Sequence, residues 1–134
     1  MSTVDDVKAA AAAVVAAFAR HDRDAYFDTF APDCSFMFYN APTFLENRAA
    51  YEAEWDLWSK DGFHVLGCES IGATVTMASD TVGIFTHTVR TTLAEGDGSI
   101  ITGERETIVF ALRDGRWVGV HEHLSPDPTY NNDL

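Results

Sequence analysis

Near the C-terminus, Trp117-Val118-Gly119-Val120-His121-Glu122-His123-Leu124-Ser125 sets two imidazoles two residues apart in a β-forming run. Alternate side chains of a strand share a face. Unbroken alternation puts Trp117, His121, His123 and Ser125 on one side and Val118, Val120 and Leu124, interrupted by Glu122, on the other. His87 lies in a second such run with Phe85 and Val89 on its face. Imidazole exchanges protons near neutral pH, so His87, His121 and His123 are the candidate catalytic residues, as proton carriers or as hydrogen-bond partners of a carbonyl or carboxylate. Same-face imidazoles could also hold a divalent metal, but local spacing fixes no third ligand, and we expect neither metal nor cofactor. Ser125 beside His123 comes without an oxyanion-hole pattern, and no phosphate-cradling loop occurs.

Tyr39, Tyr51, Trp55 and Trp58 offer an aromatic wall to a flat or apolar ligand, or alternatively the core that holds a helix to a sheet. Arg105, between Glu104 and Glu106, is either an inward anchor for an anion or half of a solvated ion pair. Tyr39, Trp55, Trp58 and Arg105 are therefore the candidate ligand-binding residues. They and the histidines are expected to converge on one cavity between the third helix and the sheet.

A helical front and a stranded back must position these groups. Val4, Val7, Ala11, Val14 or Val15, and Phe18 recur at helical steps, with Asp5 and Asp6 in the first turn and Ser2 or Thr3 as cap. A shorter helix follows over Ala25, Tyr26, Phe27 and Phe30, halted before Pro32. Ser35 to Tyr39 reads as a strand. Glu46 to Lys60 reads as a third helix, stopped at Asp61-Gly62. From Phe63 onward, turn signals at Ser79-Asp80, Glu95-Gly96-Asp97-Gly98 and Asp114-Gly115 cut four strands joined by hairpins. Helices first and strands afterwards predict an α+β fold, with the early strand free to add at a sheet edge. Both faces of these strands are substantially apolar, so a homodimer through the outer sheet face is expected. The tail from Ser125 to Leu134 is expected to lie over the surface.

Composition bounds the partners. The chain has 134 residues, 46% hydrophobic, with 21 acidic against 9 basic side chains and a net charge of −12. At this length roughly two thirds of the unfolded surface is buried without staples, which predicts one domain over residues 1–134. The acidic balance, with no basic run, argues against nucleic acid and membrane surfaces as partners. The apolar stretch Ala9 to Ala19 follows two aspartates and is too short to span a bilayer. Cys34 and Cys68 lack metal or redox spacing and suit a reducing, cytoplasmic setting.

The run Glu106-Thr107-Ile108-Val109-Phe110-Ala111-Leu112-Arg113-Asp114-Gly115-Arg116-Trp117, followed by Val120-His121-Glu122-His123-Leu124-Ser125-Pro126, resembles the closing hairpin of the SnoaL-like and nuclear transport factor 2-like superfamily. It is similar above all to the association domain of calcium/calmodulin-dependent protein kinases. The motif covers about a sixth of the chain, while the element order fits nearly all of it. The resemblance implies a cone-shaped, cystatin-like half-barrel, with three N-terminal helices packed on a curved, mostly antiparallel sheet. It also implies a small-molecule pocket between sheet and helices and pairing through the outer sheet face. Where related ketosteroid isomerases carry an aspartate base, this chain has Phe38, and their first-helix tyrosine falls near Val14. The association domain's arginine after the Glu-Thr pair is Ile108 here. Two classes remain open: a pocket protein or enzyme of isomerase, lyase or cyclase type, and a non-catalytic association or ligand-binding module.

Overall fold

A computed structural model describes residues 3–130. Helix α1 (Thr3–Ala19) buries Val7, Ala11 and Val14 of the expected stripe, with Ala17 in addition, while Val4 and Phe18 are half-buried, and it lies across the sheet. Ser2, an expected cap, is outside the described residues. The helix ends on His21 in the left-handed region at φ 53°, where Asp22 N–H donates to Ala17 O and His21 N–H to Phe18 O. Helix α2 (Arg23–Asp28) starts at once, its first turn capped by the Asp22 carboxylate, which accepts from Ala25 N–H at 3.2 Å. Helix α3 (Arg48–Lys60) begins two residues later than expected because Asn47 is its cap, accepting from Ala50 N–H.

The sheet has five strands: β1 (Phe30–Phe38), β2 (Val65–Ser79), β3 (Val82–Glu95), β4 (Gly98–Arg113) and β5 (Arg116–Pro126). Their order is β1-β5-β4-β3-β2, antiparallel except that β1 joins the edge parallel to β5. The fold is α+β, with the helices packed on a curved open sheet. Asp114 and Gly115, both at positive φ (52° and 78°), close the β4–β5 hairpin as a two-residue turn. Phe30 begins β1 instead of ending a helix, which puts its ring over Gly119.

One irregularity controls the site. Between the pairs Phe110↔Gly119 and Val109↔His121, β5 holds an extra residue, a β-bulge at Val120. Unbroken alternation placed Trp117 and His121 on one face, and the bulge corrects this. Trp117 pairs with Leu112 on the parity of Phe110 and packs toward the helices, whereas His121, His123 and Ser125 turn to the outer face. Glu122 consequently points inward, level with Phe36 and Ile108, both fully buried. Asp127 is buried, 4% exposed, and pairs with Arg90, whose guanidinium lies over the Tyr130 ring. The tail is thus packed as far as Tyr130, and residues 131–134 lie outside the described residues.

Gly119 has no room for a side chain, since an added Cβ would meet Phe30 Cδ1 at 2.7 Å. Gly119→Ala is expected to cost about 1–3 kcal/mol by overpacking, read as a lower denaturant midpoint. Combining it with Phe30→Leu should recover part of that loss.

Candidate functional site

Inside the curve of the sheet lies a cavity of about 250 Å³. Its wall is aromatic and aliphatic, from α1 (Val14, Val15, Phe18), α2 (Tyr26), β1 and the residues after it (Phe38, Tyr39), and α3 (Tyr51, Trp58). Exposed Tyr39 and Asn40 mark its mouth. The inward residues of β3, β4 and β5 supply its polar floor: His87, Glu104, Glu106 and Glu122.

His87 and Glu106 face each other across the β3–β4 ladder. The His87 side chain is fully buried, and its Nε2–H donates to Glu106 Oε1 at 2.6 Å. In that tautomer Nδ1 accepts from the Ser70 hydroxyl at 2.6 Å, which fixes the ring at both nitrogens. Beyond Glu106 stands Glu122, 2% exposed, its carboxyl within hydrogen-bonding reach of the Glu106 carboxyl. Glu122 Oε1 is buried and has no N–H or O–H partner among the described residues.

Two carboxyls in contact away from water cannot both ionise, so one keeps a proton. Burial, reinforced by the charge of Glu106, pushes Glu122 well above the ordinary carboxyl range. Burial also acts to raise Glu106, but hydrogen bonds from Glu122 and His87 outweigh it and hold Glu106 below its ordinary value. Glu122 therefore holds the proton and Glu106 the charge. Glu104, 8% exposed, is raised by burial although the Tyr39 hydroxyl donates to its Oε2 at 2.6 Å. Tyr26 and Tyr51 share a hydrogen bond of 2.9 Å between their hydroxyls, and burial drives both phenols well up.

Of the seven expected site residues, this cavity receives His87, Tyr39 and Trp58. His121 and His123 are corrected to the outer face, where His121 Nδ1 lies 2.8 Å from Ser35 Oγ and His123 is exposed. The bulge is the cause, and it also prevents His87, an inward residue, from meeting them as co-ligands. Among the described residues no group of three or more His, Cys, Asp or Glu side chains is arranged to hold a metal ion. Arg105 is also corrected to the outer face, where strand alternation puts it beside exposed solvent. Trp55 is core rather than wall, 1% exposed and ringed by Phe18, His21, Tyr26, Phe27, Tyr51 and Phe63. Sequence reasoning missed the three glutamates as a group. Their signal was available in Glu104 and Glu106, set on the same face as Ile108 and Phe110.

The chain belongs to the SnoaL-like domain family, whose model matches residues 7–129. Comparison with curated proteins gives no match. Among solved structures, it resembles a protein from Xanthomonas campestris provisionally assigned as a calcium/calmodulin-dependent protein kinase II association domain. That match has a TM-score of 0.78 and 21% identity, covering 92% of this chain and 87% of the other. The calcium/calmodulin-dependent kinase II hub homology domain of a Chlamydomonas reinhardtii protein gives 0.77 and 21%, covering 94% and 99%. A protein from Novosphingobium aromaticivorans provisionally assigned as a scytalone dehydratase gives 0.77 and 14%, covering 96% and 88%. At these identities the structural matches establish the fold alone.

The carboxyl pair makes stability depend on pH with a definite sign. Folded Glu122 keeps a proton that the unfolded chain releases near 4.5, so its contribution is present below that value and is lost as pH rises from there toward the raised folded pKa. Glu104 acts in the same sense, and Glu106 in the opposite sense at pH below 4.5. Glu122→Gln keeps a neutral group that can donate to Glu106. It is expected to flatten the fall in melting temperature above pH 4.5, and a fall as steep as in the wild type would contradict a protonated Glu122.

Proposed function

We propose that the chain is a small-molecule pocket protein that moves protons on a compact, partly apolar compound, in the manner of an isomerase, lyase or cyclase. The observation that carries this is the buried carboxyl pair of Glu122 and Glu106, the latter hydrogen-bonded to His87, in an aromatic-walled cavity. Such reactions take a proton from one atom and return one to another, and two carboxyls pushed apart in affinity provide one group for each task. Glu106, steadied by His87, is the base, and Glu122 is the acid or the donor to a carbonyl oxygen. Tyr39 and Glu104 guide the compound at the mouth. A carboxylate compound, an option when Arg105 was expected inside, suits this cavity poorly, because the described lining carries three glutamates and no lysine or arginine. The dehydratase assignment of one structural neighbour supports chemistry of this kind on this fold.

The outer sheet face supports the association reading as a companion property. Met37, Ile71 and Ile101, 47%, 42% and 51% exposed, share it with His121, His123, Thr86 and Thr107. We place a homodimer on this face, in keeping with neighbours assigned as association domains. Among the described residues no helix is long and apolar enough to cross a membrane, and the cysteines are free, which suits the cytoplasmic setting we propose.

Two measurements test these statements. In deuterated buffer, a panel of compact ketones and aldehydes is expected to include members that raise the melting temperature and exchange the hydrogen on the carbon next to the carbonyl, followed by NMR. Glu106→Gln should slow that exchange by about 100-fold or more, whereas a panel with neither binding nor exchange would leave only the association module. Sedimentation at micromolar concentration should give a dimer, and Ile101→Glu a folded monomer. A wild-type monomer would remove the dimer from the proposal.

A further inference from the structure

We propose that the compound this cavity selects carries a positively charged nitrogen, a compact ammonium with an apolar or aromatic body, received by Glu122 and Glu106 beneath the aromatic wall. This deepens the pocket reading and rests on it. The first ground is Glu122 Oε1, an acceptor almost wholly out of water that has no donor among the described residues and belongs to a side chain lining the cavity. A buried acceptor left unpaired is costly, and a ligand N–H removes the cost.

The second ground is charge. Three glutamates and no lysine or arginine line the cavity among the described residues, and its one imidazole, His87, is already held by Glu106 and Ser70, so a carboxylate ligand meets repulsion and an ammonium meets complementarity. The third is the wall. Tyr51, Trp58 and Phe63 line the same space, and aromatic rings next to carboxylates favour an organic cation through their quadrupoles. A bare metal ion is the competing cation, but the described His, Cys, Asp and Glu side chains form no group arranged to hold one. The volume of about 250 Å³ lies just under the range of drug-sized pockets, which limits the ligand to a compact one.

Binding then exchanges one positive charge for another. The ammonium keeps its hydrogens and its charge lets the two carboxyls ionise together: the Glu122 carboxyl gives its proton to solvent, the resulting carboxylate pairs with the nitrogen, and an ammonium N–H replaces the Glu122 O–H as the proton donor beside Glu106. The titratable groups that act on Glu122 are Glu104 and Glu106 of β4, and its own charge reaches Tyr26 of α2, Tyr51 of α3 and Cys34 of β1. His87 of β3 acts through Glu106, Cys68 of β2 lines the same cavity, and α1 presents only apolar side chains. Burial pushes the Tyr26, Tyr51 and Cys34 groups well up and Cys68 to about 11, so the proton released near neutral pH comes from a carboxyl.

Three probes of similar size and different charge test this: phenethylamine, phenylethanol and phenylacetate. Each is titrated calorimetrically into the full chain in two buffers of different ionisation enthalpy. Phenethylamine is expected to bind about tenfold or more tightly than phenylethanol, to release a proton, and to tighten as pH rises while the amine stays charged. Glu122→Gln, with its melting temperature retained, should lose about tenfold or more of the amine affinity and the proton release, with phenylethanol unaffected. Phenylethanol or phenylacetate binding as tightly as the amine would overturn the ammonium inference and leave the pocket reading standing. Amine affinity unchanged in Glu122→Gln would assign the binding to the acidic surface and overturn it as well. If none of the three binds, the ammonium inference falls, and the pocket reading is decided separately by its carbonyl panel.

Discussion

The extra residue at Val120 governs what the cavity contains. Because strand side chains alternate, adding one residue exchanges the two faces of everything beyond it. In β5 the exchange sends two imidazoles outward and brings one carboxyl in. The bulge is held by what surrounds it: Phe30 fills the space over Gly119, and Gly119 N–H donates to Thr29 O. The junction between α2 and β1 therefore sets the parity of a strand about ninety residues further along the chain.

Once Glu122 is inside, the electrostatics follow. A lone carboxyl there would simply remain neutral. Glu106 beside it, held charged by a histidine clamped at both ring nitrogens, splits the pair into a proton holder and a charge holder. The division comes from residues on three adjacent strands, β3, β4 and β5, brought level by ladder register: His87 opposite Glu106, and Glu122 opposite Ile108. The aromatic wall adds to it by excluding water, which strengthens both the penalty on the second charge and the hydrogen bonds that offset it.

Much of the fold was legible because it rests on local signals. Turn residues cut the four long strands at Ser79-Asp80, Gly96-Asp97 and Asp114-Gly115, and the structure turns at each of them. The middle of the α1 stripe, Val7, Ala11 and Val14, is buried. The α+β class and the family followed from element order and one hairpin. The site was less legible for a specific reason. Alternation anchored on Trp117 and carried forward to His121 passes over Gly119, and a glycine inside a strand is a bulge signal that does not say which residue is the extra one, since pairing with the neighbouring strand decides that. Had alternation been anchored at Phe110 and run back along β4, Glu106 and Glu104 would have appeared inside beside His87. Trp55 misled differently, since aromatic residues at helical spacing fit a wall and a core equally well.

The edge strand β2 has a consequence for the protein's life among its own copies. Its pairing with β3 breaks register between Val65 and Gly67, between Ile71 and Thr74 and between Met77 and Ser79, and Gly72 stands at φ 66° within the second break. Its outward edge consequently presents donors and acceptors in short, misaligned runs rather than as a continuous comb. A further strand seeking to add there would find a few matched bonds and then a step, which denies fibril-like growth a template. An acidic chain with exposed isoleucines can in this way be crowded in a cell and keep its sheets from zipping together.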